Sequence, residues 1–182
     1  MTILKPTTLS NAPEASRPIL EGTQKALGFI PNLFATMSHN PELLKTYTQV
    51  SESYAKSGLS ALEQQVVALS VSRENSCHYC MAAHSALSKM AYLDERIIAQ
   101  IRAGETLEDT KLETLSRFTK RLVASRGWAD PADLEQFFKA GYTESHVLAV
   151  ILGITLKTIS NYTNHLAQTP LDDAFKPFEW KR

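Results

Sequence analysis

The sequence has little cysteine, little glycine and no excess of charge. Its 182 residues include two cysteines and seven glycines, and 19 basic side chains balance 19 acidic ones. A neutral chain gives no reason to expect a nucleic acid or an anionic membrane surface as partner. No apolar stretch approaches the roughly 20 residues that a membrane-spanning helix needs, and residues 1–10 lack the pattern of a secretory signal. We therefore expect a cytoplasmic protein without nucleic acid or membrane partners.

The sequence also lacks the alternation of apolar and polar residues that is typical of strands. Apolar residues instead recur at helical spacing along nearly the whole chain, and prolines fall mostly at segment edges. This pattern predicts an all-α fold, with residues 1–182 forming a single domain. The predicted helices cover residues 13–27, a short segment that ends near 38, 41–56, 60–75, 77–90, 94–104, 107–125, 131–140 and 144–167.

The last predicted helix is nearly continuous in apolar residues from 147 to 159, so we expect it to be buried on most sides, as a central helix or a subunit interface. Asn161 and His165 follow one turn apart, where burial is expected and each would need a partner. They could line a site or bind the backbone. The aromatic residues of the tail are expected to pack onto the protein or a neighbouring subunit. Together these features favour a homo-oligomer over a monomer.

The two cysteines, Cys77 and Cys80, stand three residues apart, and His84 follows four residues later. At about 100° per helical residue, Cys80 lies roughly 60° from Cys77 and His84 within about 20° of it, so both sulfurs and the imidazole share one face. A Cys-x-x-Cys pair at a helix start is typical of redox sites, because the helix N-terminus favours the thiolate and the sulfurs can form a disulfide. His84 adds a proton acceptor to this face.

Two other interpretations of the pair stay open. Both cysteines could be small buried hydrophobes, since free cysteine is among the most buried residue types. The cluster could also bind zinc, which usually takes four ligands, with the fourth supplied by one of the other histidines: His165, His146 or His78. In a reducing compartment, a lone close pair is more often catalytic or metal-binding than structural. Our prediction is a dithiol site without metal or cofactor.

Several polar residues near the cysteines are candidates for supporting roles. Gln65 lies on an otherwise apolar stretch and could face the cysteines. Glu63 is better explained as the capping-box partner of Ser60, three residues earlier. Glu74 is nearest in sequence and could be no more than a solvated charge at a helix end. Tyr79, between the cysteines, is expected to pack, although its hydroxyl could join the site. His78 points elsewhere and is expected at the solvent or an interface.

The segment around the cysteines, residues 59–90, resembles the AhpD-like alkylhydroperoxidases of the carboxymuconolactone decarboxylase superfamily. The pattern of that family is a glutamate, eleven intervening residues, and then Cys-x-x-Cys-x-x-x-His. Residues 28–32 and 161–171 look like those of the peroxidase-related branch. The resemblance implies an AhpD-like helical bundle with the Cys-x-x-Cys at the N-terminus of a central helix. It also implies a pocket near a subunit interface, commonly within trimers or hexamers.

The resemblance further implies a role for each residue of the motif. Cys80 takes the place of the peroxidatic cysteine, Cys77 that of the resolving cysteine, and His84 that of the proton-relay base. The implied activity is a thiol-dependent peroxidase that reduces hydroperoxides, with an external dithiol such as a lipoyl or thioredoxin-like protein as electron donor. The alternatives are a redox-sensing or disulfide-exchange protein without efficient turnover, and a decarboxylase or lactone-handling activity as in the superfamily's namesake.

The chain departs from the family pattern at two positions. Gln65 stands where the family has its glutamate, and a neutral amide cannot carry a proton through a relay, although it can orient His84. Tyr79 occupies a position between the cysteines where the best-known members have histidine. Either the relay ends at His84, or Glu74, His165 or Tyr79 substitutes for the glutamate, or efficient peroxidase activity is lost. Our hypothesis is a substitute group or a weakened relay.

Overall fold

Residues 4–181, the part of the chain that the computed structural model describes, contain α-helices and short 3₁₀ helices and no β-strand. The all-α prediction is therefore confirmed. The α-helices are α1 (Arg17–Leu27), α2 (Asn32–Met37), α3 (Pro41–Ala55), α4 (Ala61–Glu74), α5 (His78–Met90), α6 (Glu95–Ala103), α7 (Thr110–Ala124), α8 (Pro131–Lys139) and α9 (Glu144–Ala167). Short 3₁₀ helices occupy Glu14–Ser16 and Asp173–Phe178. Within this range no helix combines the length and hydropathy that crossing a membrane requires.

Two predicted helix starts are wrong by a few residues, and local capping explains one of them. The helix predicted from residue 107 begins at Thr110, because the Asp109 side chain accepts a hydrogen bond of 2.9 Å from the Leu112 amide. The helix predicted from residue 13 is a 3₁₀ turn up to Ser16, and only then the α-helix α1. Elsewhere the predicted starts and ends lie within about two residues of the observed ones.

Helix α4 lies at the centre of the fold and packs against α5, α7 and α9. Its start is fixed by the predicted capping box, in which Ser60 Oγ accepts from the Glu63 amide and the Glu63 carboxylate accepts from the Ser60 amide. Val66, Val67 and Leu69 are fully buried. Because neighbouring helices cover α4 on several sides, the residues it presents to α5 and α9 are held rigidly.

A tight turn joins α4 to α5 and sets the position of the cysteines. The Cys77 amide donates to the Ser72 carbonyl at 2.8 Å, and the Ser76 amide donates to the Arg73 carbonyl at 3.0 Å. These two bonds form a Schellman motif, with Ser76 in the left-handed region at φ 54°. The chain therefore reverses within three residues, and Cys77 becomes the N-cap of α5.

Helix α9 packs against α3 and α4 through its only glycine. A Cβ atom at Gly153 would lie 2.8 Å from Val67 Cγ1 and 2.9 Å from the Tyr54 hydroxyl, so the helices can approach this closely only without a side chain there. The opposite face of α9 is exposed at Leu148 and Leu166. The prediction that this helix is buried on most sides agrees with its packing: α2, α3, α4, α5 and α7 contact it, and within residues 147–159 only Leu148, Ile151 and Thr155 are exposed, along one narrow stripe.

The C-terminal tail packs onto the start of α5, as its aromatic residues predicted. Phe175 and Trp180 are buried, and Phe178 is half-buried. The Trp180 indole donates to the Arg102 carbonyl at 2.9 Å, and the Trp180 carbonyl lies 2.8 Å from His78 Nδ1. The tail therefore crosses the helix that carries the cysteines, at the turn where they lie.

Candidate active site

The two cysteines lie at the first turn of α5, with Cys77 as its N-cap and Cys80 within the turn. Both are free thiols, and their exposed fractions are 1% and 2%. Asn164 on α9 donates its side-chain amide to Cys80 Sγ at 3.3 Å, and Ser160 Oγ lies 3.8 Å from the same sulfur. Helix α9 thus supplies the Cys80 sulfur with an N–H donor from Asn164, and such a donor favours a thiolate.

The two sulfurs differ in ionisation. Burial disfavours a thiolate at Cys80, but the hydrogen bond from the Cys77 thiol and the charge of Lys157 outweigh it and hold the Cys80 pKa well below the usual value. The hydrogen bond to Cys80 and burial together raise the pKa of Cys77. Of the two sulfurs, Cys80 is therefore the one whose surroundings favour the thiolate, and Cys77 is the one whose surroundings favour the protonated thiol.

His84 lies in a short chain of polar side chains. Its Nδ1 lies 2.8 Å from Gln65 Oε1, and its Nε2 lies 2.7 Å from Lys157 Nζ. Since a lysine ammonium can only donate, Nε2 accepts the bond from Lys157, and the ring proton is on Nδ1, which donates to Gln65. Burial and the charge of Lys157 hold the His84 pKa well below its ordinary value, so the imidazole is neutral. The sequence-based expectation that Gln65 could face this site agrees with this contact.

Lys157 on α9 is a site residue that the sequence analysis missed. Its side chain is 1% exposed, and among residues 4–181 it takes part in no ion pair with a carboxylate. Burial lowers its pKa, but the negative charge of Cys80 and, more weakly, Tyr47 outweighs burial and raises it. A lone lysine within the apolar run of α9 was the signal available in the sequence, because lysine is almost never buried without a partner.

A cavity of about 330 Å³ adjoins the cysteine turn. Its walls are mostly apolar and aromatic, and the reactive groups lie among them. The lining residues that bear on the chemistry are Phe34, Tyr47, Tyr79, Cys80, His84, Lys157 and Phe175. A cavity of this size and lining suits a small apolar or aromatic molecule that reaches Cys80 with its reactive atom.

Tyr79, between the cysteines, connects the site to the tail. Its hydroxyl donates to Asp172 Oδ2 at 2.5 Å and accepts from the Leu33 amide at 3.3 Å. The other Asp172 oxygen accepts from the Asn32 amide at 3.0 Å. The Tyr79 ring packs edge-on against Phe175 at 5.9 Å, and its pKa is raised by burial and the hydrogen bond to Asp172. The hydroxyl is thus fully occupied by a structural network.

Of the remaining candidates, Asn161 lies near enough to Cys80 for its side chain to help lower the pKa of that thiol, whereas His165 and Glu74 do not line the cavity. Asn161 is buried. Its side-chain oxygen accepts a hydrogen bond from the Asn75 amide group, and its side-chain nitrogen donates to Ser72 Oγ. His165 is exposed, so the expectation that it is buried is wrong: it lies beyond the side of α9 that α3 and α4 cover. Glu74 takes part in no described hydrogen bond or ion pair and does not line the cavity, so no substitution for the missing glutamate comes from it.

The described residues offer no set of zinc ligands. No group of three or more His, Cys, Asp or Glu side chains in residues 4–181 is arranged to hold a metal ion. His78, a possible fourth ligand, faces the tail and bonds the Trp180 carbonyl. Both ring nitrogens of His84 are engaged by Gln65 and Lys157. The zinc interpretation therefore finds no support in this geometry.

Comparison with known proteins supports the sequence resemblance. Residues 41–109 match the model of the carboxymuconolactone decarboxylase family, and no curated protein matches the chain. A solved structure described as an alkylhydroperoxidase AhpD core, a peroxidase-related protein from Ralstonia eutropha JMP134, is 21% identical with a TM-score of 0.82, covering 92% of this chain and 90% of its own. A peroxidase-related protein from Silicibacter sp. TM1040 is 20% identical with a TM-score of 0.80, covering 95% and 94%.

A third similar structure carries a different activity in its name. A variant of the debrominase Bmp8 in complex with 2,3,4-tribromopyrrole is 18% identical with a TM-score of 0.82, covering 98% of this chain and 96% of its own. At these identities the structural likeness shows the fold, and the fold of this chain is the one that all three proteins share.

Proposed function

We propose that this AhpD-like member of the carboxymuconolactone decarboxylase superfamily is a thiol-dependent peroxidase that reduces hydroperoxides. The observation that carries the proposal is a pair of free thiols at the start of α5, with Cys80 lining a small, mostly apolar cavity and accepting a hydrogen bond from the Asn164 amide. The surroundings lower the pKa of Cys80 and raise that of Cys77. A nucleophile and a resolving thiol are the two groups that peroxide reduction requires.

The proposed cycle has two chemical steps on the protein. The Cys80 thiolate attacks an oxygen of the hydroperoxide, the O–O bond breaks, and Cys80 becomes a sulfenic acid while an alkoxide leaves. The Cys77 sulfur then attacks the Cys80 sulfur, which forms the disulfide and releases water. Two thiols are oxidised for each hydroperoxide reduced to an alcohol. His84 and Lys157 are the proton-holding groups at this point of the cavity.

An external dithiol would return the disulfide to the reduced state. Thiol–disulfide exchange with a lipoyl or thioredoxin-like protein supplies two electrons and two protons and requires no cofactor bound to this chain. Because both cysteines are nearly fully buried, a slender donor such as a lipoyl arm suits the site better than a flat protein surface.

Steady-state turnover tests this proposal. Purified protein, cumene hydroperoxide and a reduced lipoyl donor should give continuous hydroperoxide loss. Replacing Cys80 by serine should abolish it, and replacing Cys77 by serine should stop the cycle after one sulfenic acid. Activity of Cys80→Ser equal to that of the wild type would refute the proposal. A wild type that reduces one equivalent and then stops, with donor present, would instead indicate the redox-sensing alternative.

Reductive dehalogenation is a second candidate, favoured by the debrominase that shares this fold over nearly its whole length. A thiolate can take bromine from a bromoarene, which leaves a sulfenyl bromide and an aryl carbanion that takes a proton. Cys77 would then displace bromide to form the same disulfide. The net reaction again consumes two thiols, and it yields the debrominated arene, bromide and a proton. The aromatic lining of the cavity, with Phe34 and Tyr47, fits such a ring.

Bromide release distinguishes the two functions. With reduced donor and 2,3,4-tribromopyrrole as the probe, a dehalogenase releases bromide in proportion to disulfide formed, whereas a peroxidase without this activity releases none. Measuring both substrates on one preparation gives the ratio of the two activities. Cys80→Ser serves as the control in each assay, since both reactions begin at this sulfur.

Self-association remains part of the proposal, as a trimer or hexamer. Leu148, Ile151, Tyr162 and Leu166 are exposed along α9, and at about 100° per residue they fall within roughly 60° of one another. Apolar grooves lie on both sides of this stripe, one next to α7 and the other next to α2. A mostly apolar face of this kind, with Thr155 as the exposed polar residue within it, supports a contact with a second copy of the chain.

A further inference from the structure

Lys157 carries a buried positive charge without a carboxylate to neutralise it. Its Nζ contacts His84 Nε2 at 2.7 Å, and the imidazole is neutral. The acidic groups that face it are Cys80 and Cys77 from α5 and Tyr47 from α3. The cavity-lining residues of α2 and α4 bear no charge. Because an unpaired buried charge is strongly unfavourable, the ammonium requires the Cys80 thiolate as its counter-ion.

We propose that Lys157 is the counter-ion of the Cys80 thiolate and the proton donor of the catalytic cycle, so that the two groups gain and lose their charges together. The donor role rests on the proposed peroxidase function, whereas the counter-ion role holds whatever the substrate. Both roles follow from Lys157 lining the same cavity as Cys80, with no other cation among the lining residues that the structure describes.

The protons and charges balance through one cycle. Attack of the Cys80 thiolate on the hydroperoxide yields the sulfenic acid and an alkoxide, and the Lys157 ammonium protonates the alkoxide to the alcohol. Cys77 then closes the disulfide and releases water, so the oxidised site holds neutral Lys157 and no thiolate. When an external dithiol reduces the disulfide, one of the two protons it releases returns to Lys157, and the other stays on Cys77.

The timing of proton release follows from the pairing. While the thiolate is present, its charge keeps the proton on Lys157. Oxidation of Cys80 removes that charge and leaves a buried ammonium without a counter-ion, which favours transfer of its proton to the departing alkoxide. The donor is therefore strongest when the leaving group needs the proton.

This assignment changes the role of His84. A proton moved from Lys157 to His84 Nε2 could go no further, because the ring's other nitrogen donates to Gln65, an amide that accepts no proton. His84 is thus a positioning residue, which fixes the ammonium through the lone pair of Nε2. Gln65 in turn holds the ring in the tautomer that this requires.

Two substitutions separate the two roles. Lys157→Arg keeps a positive charge but does not release a proton at ordinary pH, whereas Lys157→Met removes both properties. Lys45→Met on α3, where the lysine is exposed, is the matched control. Circular dichroism checks that each variant is folded. Thiolate absorbance at 240 nm against pH and the single-turnover rate with hydroperoxide are then measured for all four proteins.

The counter-ion role of Lys157 is tested by the thiolate absorbance at 240 nm. At pH 7 the wild type, Lys45→Met and Lys157→Arg should each contain one thiolate, and Lys157→Met should contain almost none. Full thiolate absorbance in Lys157→Met at pH 7 would overturn the pairing. This measurement needs no peroxide, so it stands even if the proposed peroxidase function fails. If Lys157→Met does not fold, loss of the thiolate in Lys157→Arg would overturn the pairing.

The proton-donor role of Lys157 is tested by comparing two oxidants whose leaving groups differ in their need for a proton. General acid catalysis contributes roughly 10²- to 10⁴-fold, so Lys157→Arg should lose about 10²-fold or more with an alkyl hydroperoxide. The same variant should react with peracetic acid at nearly the wild-type rate, because acetate leaves without a proton. Equal losses with both oxidants, or no loss with the alkyl hydroperoxide, would overturn the donor role. A wild type inactive with both would refute the peroxidase function and the donor role together.

Discussion

Replacing Phe175 by alanine should destabilise the protein and widen the catalytic cavity. The Phe175 ring is 6% exposed and packs edge-on against Tyr79 at 5.9 Å and Phe29 at 5.7 Å. It lines the cavity that contains Cys80. Phe178 is the matched control, because it lies on the same 3₁₀ helix, is only half-buried and lines a different groove.

The expected losses of stability differ in size. Truncation of a buried phenylalanine to alanine costs about 3–5 kcal/mol, and that figure already includes the lost ring pairs. A half-buried ring removes less apolar surface from water, so Phe178→Ala should cost about 1 kcal/mol. Urea unfolding, followed by circular dichroism with equal m-values, measures both free energies.

The effect on the cavity should appear in substrate selectivity. Phe175→Ala should leave a void beside Cys80 that favours the larger substrate. The ratio of the rate with cumene hydroperoxide to the rate with hydrogen peroxide should therefore rise about tenfold, since a change of fit in an apolar pocket usually changes the activation free energy by about 1–3 kcal/mol. Phe178→Ala should leave the ratio unchanged. Equal destabilisation of the two variants, together with an unchanged ratio in Phe175→Ala, would refute the placement of this ring as a wall of the site.

Three further predictions concern packing, pH and assembly. Gly153→Ala should lower the free energy of unfolding, because overpacking costs about 1–3 kcal/mol and the gain in helix propensity returns only about 1 kcal/mol. Gly22→Ala should raise the free energy of unfolding, because a Cβ atom there meets open space. Equal urea midpoints of the two variants would contradict this. Burial raises the Asp172 pKa above 3.8, so the folded state binds this proton more tightly. The wild type should therefore lose stability relative to Asp172→Asn as pH rises from 3.8 through the raised pKa, and parallel pH profiles would disprove it. Leu166→Lys should lower the mass found by light scattering, and an unchanged oligomer would exclude this face.

Much of the fold could be predicted because its signals are local. Asparagine, serine and aspartate caps mark the helix starts, and apolar spacing marks their buried sides. The same locality places Cys80 and His84 one turn apart on α5, with Cys77 at its N-cap, and both Cys80 and His84 line the cavity. The resemblance to AhpD-like proteins is confirmed, since it rests on a contiguous motif that the family match also covers.

Residues that meet across the fold could not be predicted in this way. Lys157 is 73 residues from His84 and Asp172 is 93 residues from Tyr79, so neither contact has a spacing signal. The narrow exposed stripe of α9 could not be located from the sequence for a related reason: apolar residues surround much of the helix, so the pattern does not distinguish the covered faces from the exposed one. Asn161 proved buried and His165 exposed only through the packing of α3 and α4.

The most direct test of the central claim is a single-turnover oxidation of the reduced protein. One equivalent of cumene hydroperoxide is added without donor, free thiols are counted, and the peptides are mapped by mass spectrometry. We predict the loss of two thiols per hydroperoxide, a disulfide between Cys77 and Cys80, and no consumption of hydroperoxide by Cys80→Ser. Loss of hydroperoxide with both thiols still free, or equal consumption by Cys80→Ser, would contradict the account.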